Sequence, residues 1–247
     1  MSRTNWITCG RARQDEGTLR QVARLIYQTD TSIYPFWRSN IDDFVDFIVP
    51  HMTEDGFIFN YRNIYVARHT GSEQPLGILI ALNSTANLDF DYGVLDDEKS
   101  KFVIDYYLLK VIQTRQTLPK KTTLITNLCT DPDARGCGIG SHLLYDYIWR
   151  MHQNGTSAFQ LNCSQQNESV VQMYQKMGFI ITDDTEYGFD GTDDPQTKLY
   201  TMLYSFWHQR AYVIVTINNF SSHHSNIVVA FWFKFFARGG HHSHIYP

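Results

Sequence analysis

A glycine-rich segment, Arg135-Gly136-Cys137-Gly138-Ile139-Gly140, constrains the fold of this chain more than any other part of it. The residues before it, 122–130, are β-branched and apolar and run into Asp131-Pro132, which predicts a strand that ends at a turn. The residues after it are apolar at helical spacing, which predicts a helix over 140–153. A glycine-rich turn that opens a helix presents unpaired backbone N–H groups and the positive end of the helix dipole. The segment therefore predicts a pyrophosphate-binding site.

The glycine spacing excludes two common phosphate-binding motifs. No Lys-Ser or Lys-Thr pair follows Gly140, so the turn is not a P-loop. The pattern is G-x-G-x-G rather than G-x-G-x-x-G, and it lies past the middle of the chain without an acidic ribose partner, which argues against a dinucleotide fingerprint. A tight strand-to-helix turn also needs glycine for steric reasons alone, so the three glycines require a second motif for their interpretation.

That second motif is the run from Asn167 to Phe179, with Tyr174 and Gly178 inside it. Together, Arg-Gly-x-Gly-Ile-Gly and Asn-x-x-x-x-x-x-Tyr-x-x-x-Gly-Phe resemble the acyl-CoA-binding core of the GCN5-related N-acetyltransferase (GNAT) superfamily, over residues 122–180. The resemblance implies an α/β (α+β) chain with the GNAT acyl-CoA N-acyltransferase fold. In that fold, a central, mixed, mostly antiparallel twisted sheet is flanked by helices.

The resemblance also assigns site residues. Acetyl-CoA, the implied cofactor, is expected to contact the end of the strand, the glycine turn and the second motif: Leu128, Cys129, Thr130, Arg135, Gly136, Cys137, Gly138, Ile139, Gly140, Ser141, Asn167 and Tyr174. Tyr174 is implied as the general acid that protonates the CoA thiolate, since a phenol with a reference pKa of about 10 stays protonated at neutral pH. Asn167 is implied at the pantetheine arm, a role compatible with capping the helix. Cys137 stands where the family often has Lys or Arg, so the glycine-rich turn carries one cation fewer.

Other interpretations of these residues stay open in the sequence. Tyr174 shares a helical face with Val170 and Met177, as a core tyrosine would. Cys129 is expected to be a buried small hydrophobe rather than a nucleophile. The general base is not predicted, because residues 122–130 contain no Asp or Glu. The remaining options are Asp131, the acids at 54, 55, 89, 91 and 186, direct attack by the amine, or a water relay through Asn127 or Thr126.

Acceptor specificity is expected from the segment between the first two helices and from the loop between the last two strands. Tyr34, Phe36 and Trp37 are predicted to form an aromatic wall for the substrate; the alternative is a hydrophobic lid that packs on its own domain. Asn127 is also predicted to bind the substrate. The second loop, 183–194, is strongly acidic, which suits a cationic amine or a solvated face.

Composition limits the partners and the compartment. The formal net charge of -4 shows no electrostatic footprint for nucleic acid or an anionic membrane. The four cysteines have neither CxxC nor zinc-like spacing, so we expect free thiols, no metal site and a reducing compartment. No apolar signal segment or run long enough to span a bilayer is present in the sequence, and a cytoplasmic protein is expected.

The order of predicted elements is β-α-α-β-β-α-β-α-β-α-β-β. Helices are expected after Asp15 and over 41–52, 99–117, 140–153 and 168–177, the third being an insertion relative to the family. Strands are expected over 5–13, 57–68, 76–83, 122–130, 157–163, 179–183 and 198–206, and the aromatic stretch 31–37 is expected to be a turn.

The resemblance leads to one main hypothesis. A GNAT domain over 1–207 would transfer an acetyl group from acetyl-CoA to a primary amine, directly within a ternary complex. The alternatives are a CoA-binding sensor without turnover and an acyltransferase that uses another acyl-CoA. Residues 208–247 contain no acidic residue and six of the ten histidines. We assign this tail no function, and a homodimer contact through it stays open.

Overall fold

The computed structural model describes residues 6–30, 33–83, 85–95, 97–103, 108–187 and 197–206. Seven strands form one sheet: β1 (Ile7–Arg11), β2 (Ile64–His69), β3 (Pro75–Leu82), β4 (Thr122–Thr130), β5 (Ala158–Ser164), β6 (Ile180–Tyr187) and β7 (Thr197–Ser205). The order across the sheet is β1-β2-β3-β4-β5-β7-β6. Each strand pair whose register is resolved is antiparallel except β4–β5, which is parallel. The fold class expected from the resemblance is confirmed.

The described α-helices flank this sheet. They are α1 (Glu16–Tyr27), α2 (Ile33–Trp37), α3 (Ile41–Ile48), α4 (Glu98–Val103), α5 (Leu109–Thr117), α6 (Ile139–Gln153) and α7 (Glu168–Lys176). Short 3₁₀-helices occupy Val49–Thr53, Tyr61–Asn63, Tyr92–Val94 and Pro132–Ala134. The predicted helix over 99–117 corresponds to α4 and α5, with residues 104–107 outside the described part of the chain. Among the described residues, no helix is long and apolar enough to cross a membrane.

The amphipathic helix α1 shows why these residues fold as they do. Asp15 caps it as predicted: its Oδ1 accepts a hydrogen bond from the Thr18 backbone N–H at 2.9 Å, and these Thr18 contacts lower the pKa of Asp15. One face of the helix buries Leu19, Val22 and Ile26. These side chains join the hydrophobic core that α1–α3 form with one face of β2, β3 and β4. Burial of this stripe, rather than helix propensity, holds α1 on the sheet.

The opposite face of the sheet carries α6, and a glycine permits its close approach. A Cβ built on Gly77 of β3 would lie 3.1 Å from the Cys129 carbonyl oxygen and 3.2 Å from Cγ2 of Ile139. Ile139 is the first residue of α6, so the absence of a side chain at Gly77 allows the helix N-terminus to lie directly on β3 and β4. The packing of α6 thus places the glycine turn at the end of β4.

Two parts of the sequence prediction before β4 are wrong, and residues 183–187 of the predicted acidic loop belong to β6. The run 57–68 is not one strand, because β2 begins only at Ile64. Side-chain hydrogen bonds replace strand pairing before it: Asn60 Nδ2 donates to the Glu54 carbonyl, Asn60 Oδ1 accepts from the Arg62 N–H, and Asn63 Nδ2 donates to the Ile58 carbonyl. The apolar residues of this loop, Phe57, Ile58 and Phe59, are nevertheless buried in the core.

The aromatic stretch 31–37 is the second error, because residues 33–37 form the helix α2 instead of a turn. Asp30 Oδ1 accepts a hydrogen bond from the Ile33 N–H at 2.9 Å, which supports the first turn of that helix. Pro35 is tolerated because the first turn of a helix needs no N–H donor there. Residues 31–32 lie outside the described residues, as does the tail 208–247, so the boundary at 207 stays a prediction.

Candidate active site

The glycine turn has the backbone that its sequence predicts. Gly136 and Gly138 have φ angles of +75° and +81°, in the left-handed region that favours glycine. A Cβ built on either residue would meet nothing within 4 Å, so the turn is open on its outer side. Gly140 is different: a Cβ there would lie 3.2 Å from Thr130 Oγ1. Two glycines therefore shape the turn, and the third lets α6 begin against the end of β4.

The turn presents unpaired N–H groups. Gly138 occupies the N-cap position of α6 without a side-chain capping hydrogen bond. Among the described residues, the backbone N–H groups from Gly136 to Ser141 have no hydrogen-bond acceptor. These N–H groups lie at the N-terminus of a fifteen-residue helix, which is the positive end of its dipole. This arrangement fits the pyrophosphate of a nucleotide thioester.

Side chains around the turn add one cation. Arg135 is exposed, and its Nε donates to the Thr130 carbonyl at 3.3 Å, which leaves most of the guanidinium N–H groups available. Cys137 is exposed and carries a free thiol. Ile139 is buried and anchors the helix, whereas Ser141 is half-buried at its first turn.

The end of β4 lies beside this turn and separates from β5. The parallel register between the two strands runs from Thr122↔Ala158 to Ile125↔Leu161, and none is resolved for the last five residues of β4. A bulge at Thr126 interrupts the β3–β4 ladder, because Ile80 pairs with Asn127 while Ala81 pairs with Ile125. We call this region, residues 126–130 of β4 with 162–164 of β5, the splay.

Three residues predicted to contact the cofactor lie in the splay. Leu128 and Thr130 are half-buried, and they pair with Leu79 and Gly77 of β3 on their other side. Backbone groups of β4 that face β5 here are free to receive an extended chain as an added strand. Cys129 is buried, and burial raises the pKa of its thiol, which agrees with a small hydrophobe and not with a thiolate nucleophile.

Tyr174 and Asn167 lie on the β5 side of the splay. Tyr174 is buried on α7, with its ring centroid 5.6 Å from that of Phe179. Burial, with a smaller effect of Cys163, raises the pKa of its phenol, so the hydroxyl stays protonated at neutral pH. Within the described chain the hydroxyl has no hydrogen-bond partner. Asn167 holds the N-cap position of α7 without capping it through its side chain, and its Oδ1 accepts from Ser169 Oγ at 3.3 Å.

The predicted aromatic wall is only partly compatible with this structure. Tyr34 and Trp37 have no exposed surface and belong to the core. Trp37 Nε1 donates to Ser100 Oγ at 2.8 Å, so its polar edge is also engaged. Phe36 is half-buried and packs edge-on against Phe102, with ring centroids 5.3 Å apart. The aromatic content of 33–37 therefore stabilises α2, as the alternative of a packed lid predicts, and Tyr34 and Trp37 do not form an open wall.

Residues at the start of α4 and just before it hold α2 in place. Arg38, directly after α2, places an Nη2 2.8 Å from Asp97 Oδ2, and its guanidinium lies 3.7 Å from the ring centroid of Phe47. Asp97 also accepts hydrogen bonds from the Ser100 hydroxyl and backbone N–H. Burial opposes the charged form of Asp97, but the bonds from Arg38 and Ser100 outweigh it and hold the pKa of that carboxyl well below its usual range.

The structure places three of the candidate bases, Asp131, Glu54 and Asp55, in structural roles. Asp131 Oδ1 accepts from the Asp133 N–H at 3.0 Å, which is turn chemistry. Glu54 Oε1 lies 2.9 Å from His51 Nδ1, and Asp55 pairs with Arg62. The side chain of Glu186 lies outside the described residues. No carboxylate of β4 faces the splay, since none is present in that strand.

Sequence reasoning missed the polar contacts of Asn127. Its Nδ2 donates to Thr29 Oγ1 at 2.8 Å and to the Tyr34 hydroxyl at 3.1 Å. Asn127 is 5% exposed, and its Oδ1 is buried without a hydrogen-bond partner. No local pattern could reveal this group, because the partners lie 98 and 93 residues away in sequence.

Fold and site together define an α/β domain that has an open glycine turn at a helix N-terminus, beside a splay between two parallel strands. A family model described as the acetyltransferase (GNAT) family matches residues 54–179, just over half of the chain. The chain therefore belongs to the GNAT acetyltransferase family, and membership implies an acyltransferase.

Solved structures show the same fold. An N-acetyltransferase from Staphylococcus aureus Mu50 is 20% identical over 80% of this chain and 100% of that chain, with a TM-score of 0.55. A polyamine N-acetyltransferase from Drosophila melanogaster, which catalyses the formation of N-acetylagmatine, is 15% identical over 81% of this chain and 100% of its own, with a TM-score of 0.53. Another structure, the NatC complex bound to Gag peptide and CoA, is 14% identical over 81% and 99%, with a TM-score of 0.50. No curated protein sequence matches this chain.

Proposed function

We propose that this protein is an N-acetyltransferase that moves the acetyl group of acetyl-CoA to a primary amine within a ternary complex. The observation that carries the proposal is the open glycine turn, whose N–H groups from Gly136 to Ser141 are unpaired at the end of β4. This turn would bind the pyrophosphate, with Arg135 adding a cation to the phosphates. The neighbouring splay would hold the pantetheine arm along Leu128, Cys129 and Thr130.

The chemistry needs an attacking amine and a stabilised leaving group. The amine nitrogen attacks the thioester carbonyl carbon, the carbon–sulfur bond breaks, and the thiolate takes a proton from the Tyr174 hydroxyl. The acylated nitrogen loses one proton to water, and Tyr174 regains its proton from solvent. Because its pKa is raised, the phenol of Tyr174 is protonated at neutral pH and has a proton to donate. Asn167, at the start of the same helix, would contact the arm near the sulfur. No thiol of this chain acts as a nucleophile in this scheme, since Cys129 is buried with a raised pKa.

A coupled pair of assays tests the proposal. Thiol release from acetyl-CoA is measured with spermidine, kanamycin, a lysine-containing peptide and a peptide with a free alanine N-terminus, and thermal unfolding is measured with CoA and acetyl-CoA. We expect thermal stabilisation by CoA and thiol release with at least one amine. If neither acetyl-CoA nor CoA stabilises the protein against thermal unfolding, both the CoA site and the proposed activity are wrong.

A CoA-binding sensor is the second candidate, and one observation favours it. Strand β4 carries no carboxylate, and the nearby Asp131 is used in a turn. Thermal stabilisation by CoA without thiol release from acetyl-CoA on any amine would support the sensor over the enzyme. Release from a longer acyl-CoA, and not from acetyl-CoA, would instead assign a different acyl donor.

A further inference from the structure

Asn127 is the most unusual polar residue of the splay. It lies on β4 beyond the last residue pair with β5 and next to the bulge at Thr126. Its side chain faces the α1–α3 side of the sheet, where it contacts Thr29 and Tyr34. A buried polar atom without a partner is rare in folded proteins, because the lost hydrogen bond to water is not replaced. The unpartnered Oδ1 of Asn127 therefore requires a functional explanation.

The orientation of the Asn127 amide is fixed by its neighbours. Thr29 Oγ1 donates its single proton to the Ile26 carbonyl at 2.7 Å. The hydroxyl can then only accept from Asn127, which places Nδ2 at Thr29 and directs Oδ1 to the other side of the amide. Tyr34 adds a second acceptor for Nδ2, and its ring is held edge-on by Phe44 at a centroid distance of 5.3 Å. Both amide donors are used, and the oxygen is the group that remains.

We propose that Asn127 Oδ1 accepts a hydrogen bond from the N–H of the acceptor amine, and that Thr29 and Tyr34 are positioning residues that hold the amide for it. This inference rests on the proposed acetyl transfer and adds the contact that orients the nucleophile. Tyr34 then has a role at the site without touching the substrate, which agrees with its complete burial.

The chemistry of an amide oxygen suits a nucleophilic amine. A primary amine that donates one N–H to a fixed acceptor keeps its lone pair free to attack the thioester. A carboxylate at the same place would stabilise the ammonium ion, which has no lone pair, and would raise the pKa of the amine. The neutral oxygen of Asn127 provides direction without that penalty, in a strand that carries no Asp or Glu. The substrate class is a primary amine that donates an N–H to this oxygen.

The test compares three single variants and one double variant. Asn127→Leu removes the acceptor at similar size, and Thr29→Val removes the hydroxyl that orients it. Thr117→Val is the matched control, because Thr117 Oγ1 also donates to the carbonyl three residues earlier, at 2.8 Å, but it is exposed and has no asparagine partner. Steady-state kinetics are measured with the best amine of spermidine, kanamycin and the two peptides, together with thermal unfolding in the presence of acetyl-CoA.

We expect Asn127→Leu to lower kcat/KM for the amine about 10- to 100-fold, with KM for acetyl-CoA within about twofold of the wild type. Thr29→Val should lower it about 3- to 10-fold and should have no further effect in the Asn127→Leu background, since it acts through Asn127. Thr117→Val should behave as the wild type. Each variant that is stabilised by acetyl-CoA as strongly as the wild type has kept its fold and its donor site.

Other results overturn the inference. Unchanged amine kinetics in Asn127→Leu, or an equal loss of acetyl-CoA affinity, would show that Asn127 is only structural. A full additional loss from Thr29→Val in the double variant would refute the positioning role. If the wild type transfers acetyl to no amine, the proposed function fails and the inference fails with it. If the wild type is active and Asn127→Leu has the same amine kinetics, the inference alone fails.

Discussion

Replacing Gly138 by alanine tests the role of the glycine turn in CoA binding separately from its role in the stability of α6. Gly138 has a φ of +81°, and an alanine forced into the left-handed region costs about 1–2 kcal/mol. No atom lies within 4 Å of the added Cβ, so nothing holds the variant turn in that conformation. The variant turn relaxes to another conformation. Binding of a pyrophosphate must then return residue 138 to the left-handed region, and this free-energy cost weakens binding. We therefore expect CoA to bind about 5- to 30-fold more weakly.

The other end of the same helix provides the control. Gly155 follows α6 with a φ of +92°, and its Cβ would also meet nothing within 4 Å. Gly155→Ala should lower the melting temperature about as much as Gly138→Ala, by about 2–8 °C, but should leave CoA affinity unchanged. Isothermal titration with CoA and thermal unfolding of both variants decide the matter. Wild-type affinity in Gly138→Ala, or the same loss in Gly155→Ala, would refute the assignment of the turn.

Three further predictions concern the proposed general acid Tyr174, the carboxylate of Asp97 and the buried side chain of Phe57. Tyr174→Phe should lower kcat at least about 100-fold and leave CoA affinity unchanged by titration. The folded-state pKa of Asp97 is depressed, so its contribution to the free energy of unfolding is present above the unfolded pKa of about 3.9 and is lost as the pH falls. Asp97→Asn should lower the free energy of unfolding by about 1 kcal/mol at pH 7, measured by urea denaturation, and should make it less sensitive to acid. Phe57→Ala should cost about 3–5 kcal/mol in the same measurement, although Phe57 lies in a loop, because it is completely buried.

Each of these has a control and a contrary outcome. Unchanged turnover in Tyr174→Phe would remove the general-acid role. Asp46→Asn breaks an exposed ion pair with Arg20 at 2.7 Å and should lower the free energy of unfolding by less than about 0.5 kcal/mol. An equally small effect of Asp97→Asn would show that the Arg38–Asp97 pair does not stabilise α2. Val94 is 59% exposed, and Val94→Ala should be nearly neutral; a similarly small effect of Phe57→Ala would show that the loop is not part of the core.

Local patterns predicted the elements around the glycine turn well. The cap at Asp15, the strand over 122–130 and the helix that follows the glycines are all found in the structure. These elements depend on neighbouring residues: periodicity, capping and the φ angles that only glycine adopts readily. The turn at 136–140 is therefore visible in one short segment, and so is the helix of Tyr174 that ends before Gly178, with a φ of +98°.

The acceptor side could not be predicted in the same way, because it depends on contacts between distant residues. An apolar run such as Phe57–Phe59 resembles a strand, and only the bonds of Asn60 and Asn63 to other parts of the loop show otherwise. An aromatic stretch with a proline resembles a turn, yet burial of Tyr34 and Trp37 makes it a helix in the core. Which side chains lie around the end of β4 is decided by these tertiary contacts and by the bulge at Thr126.

The central claim is acetyl transfer from a thioester bound at the glycine turn to an amine nitrogen. Acetyl-CoA labelled with ¹³C in the acetyl group, incubated with the protein and each amine of the panel, tests it directly when product mass and free CoA thiol are both quantified. We expect labelled N-acetyl amine in an amount equal to the thiol released. Thiol release without labelled amine, or no release with any amine, would contradict it.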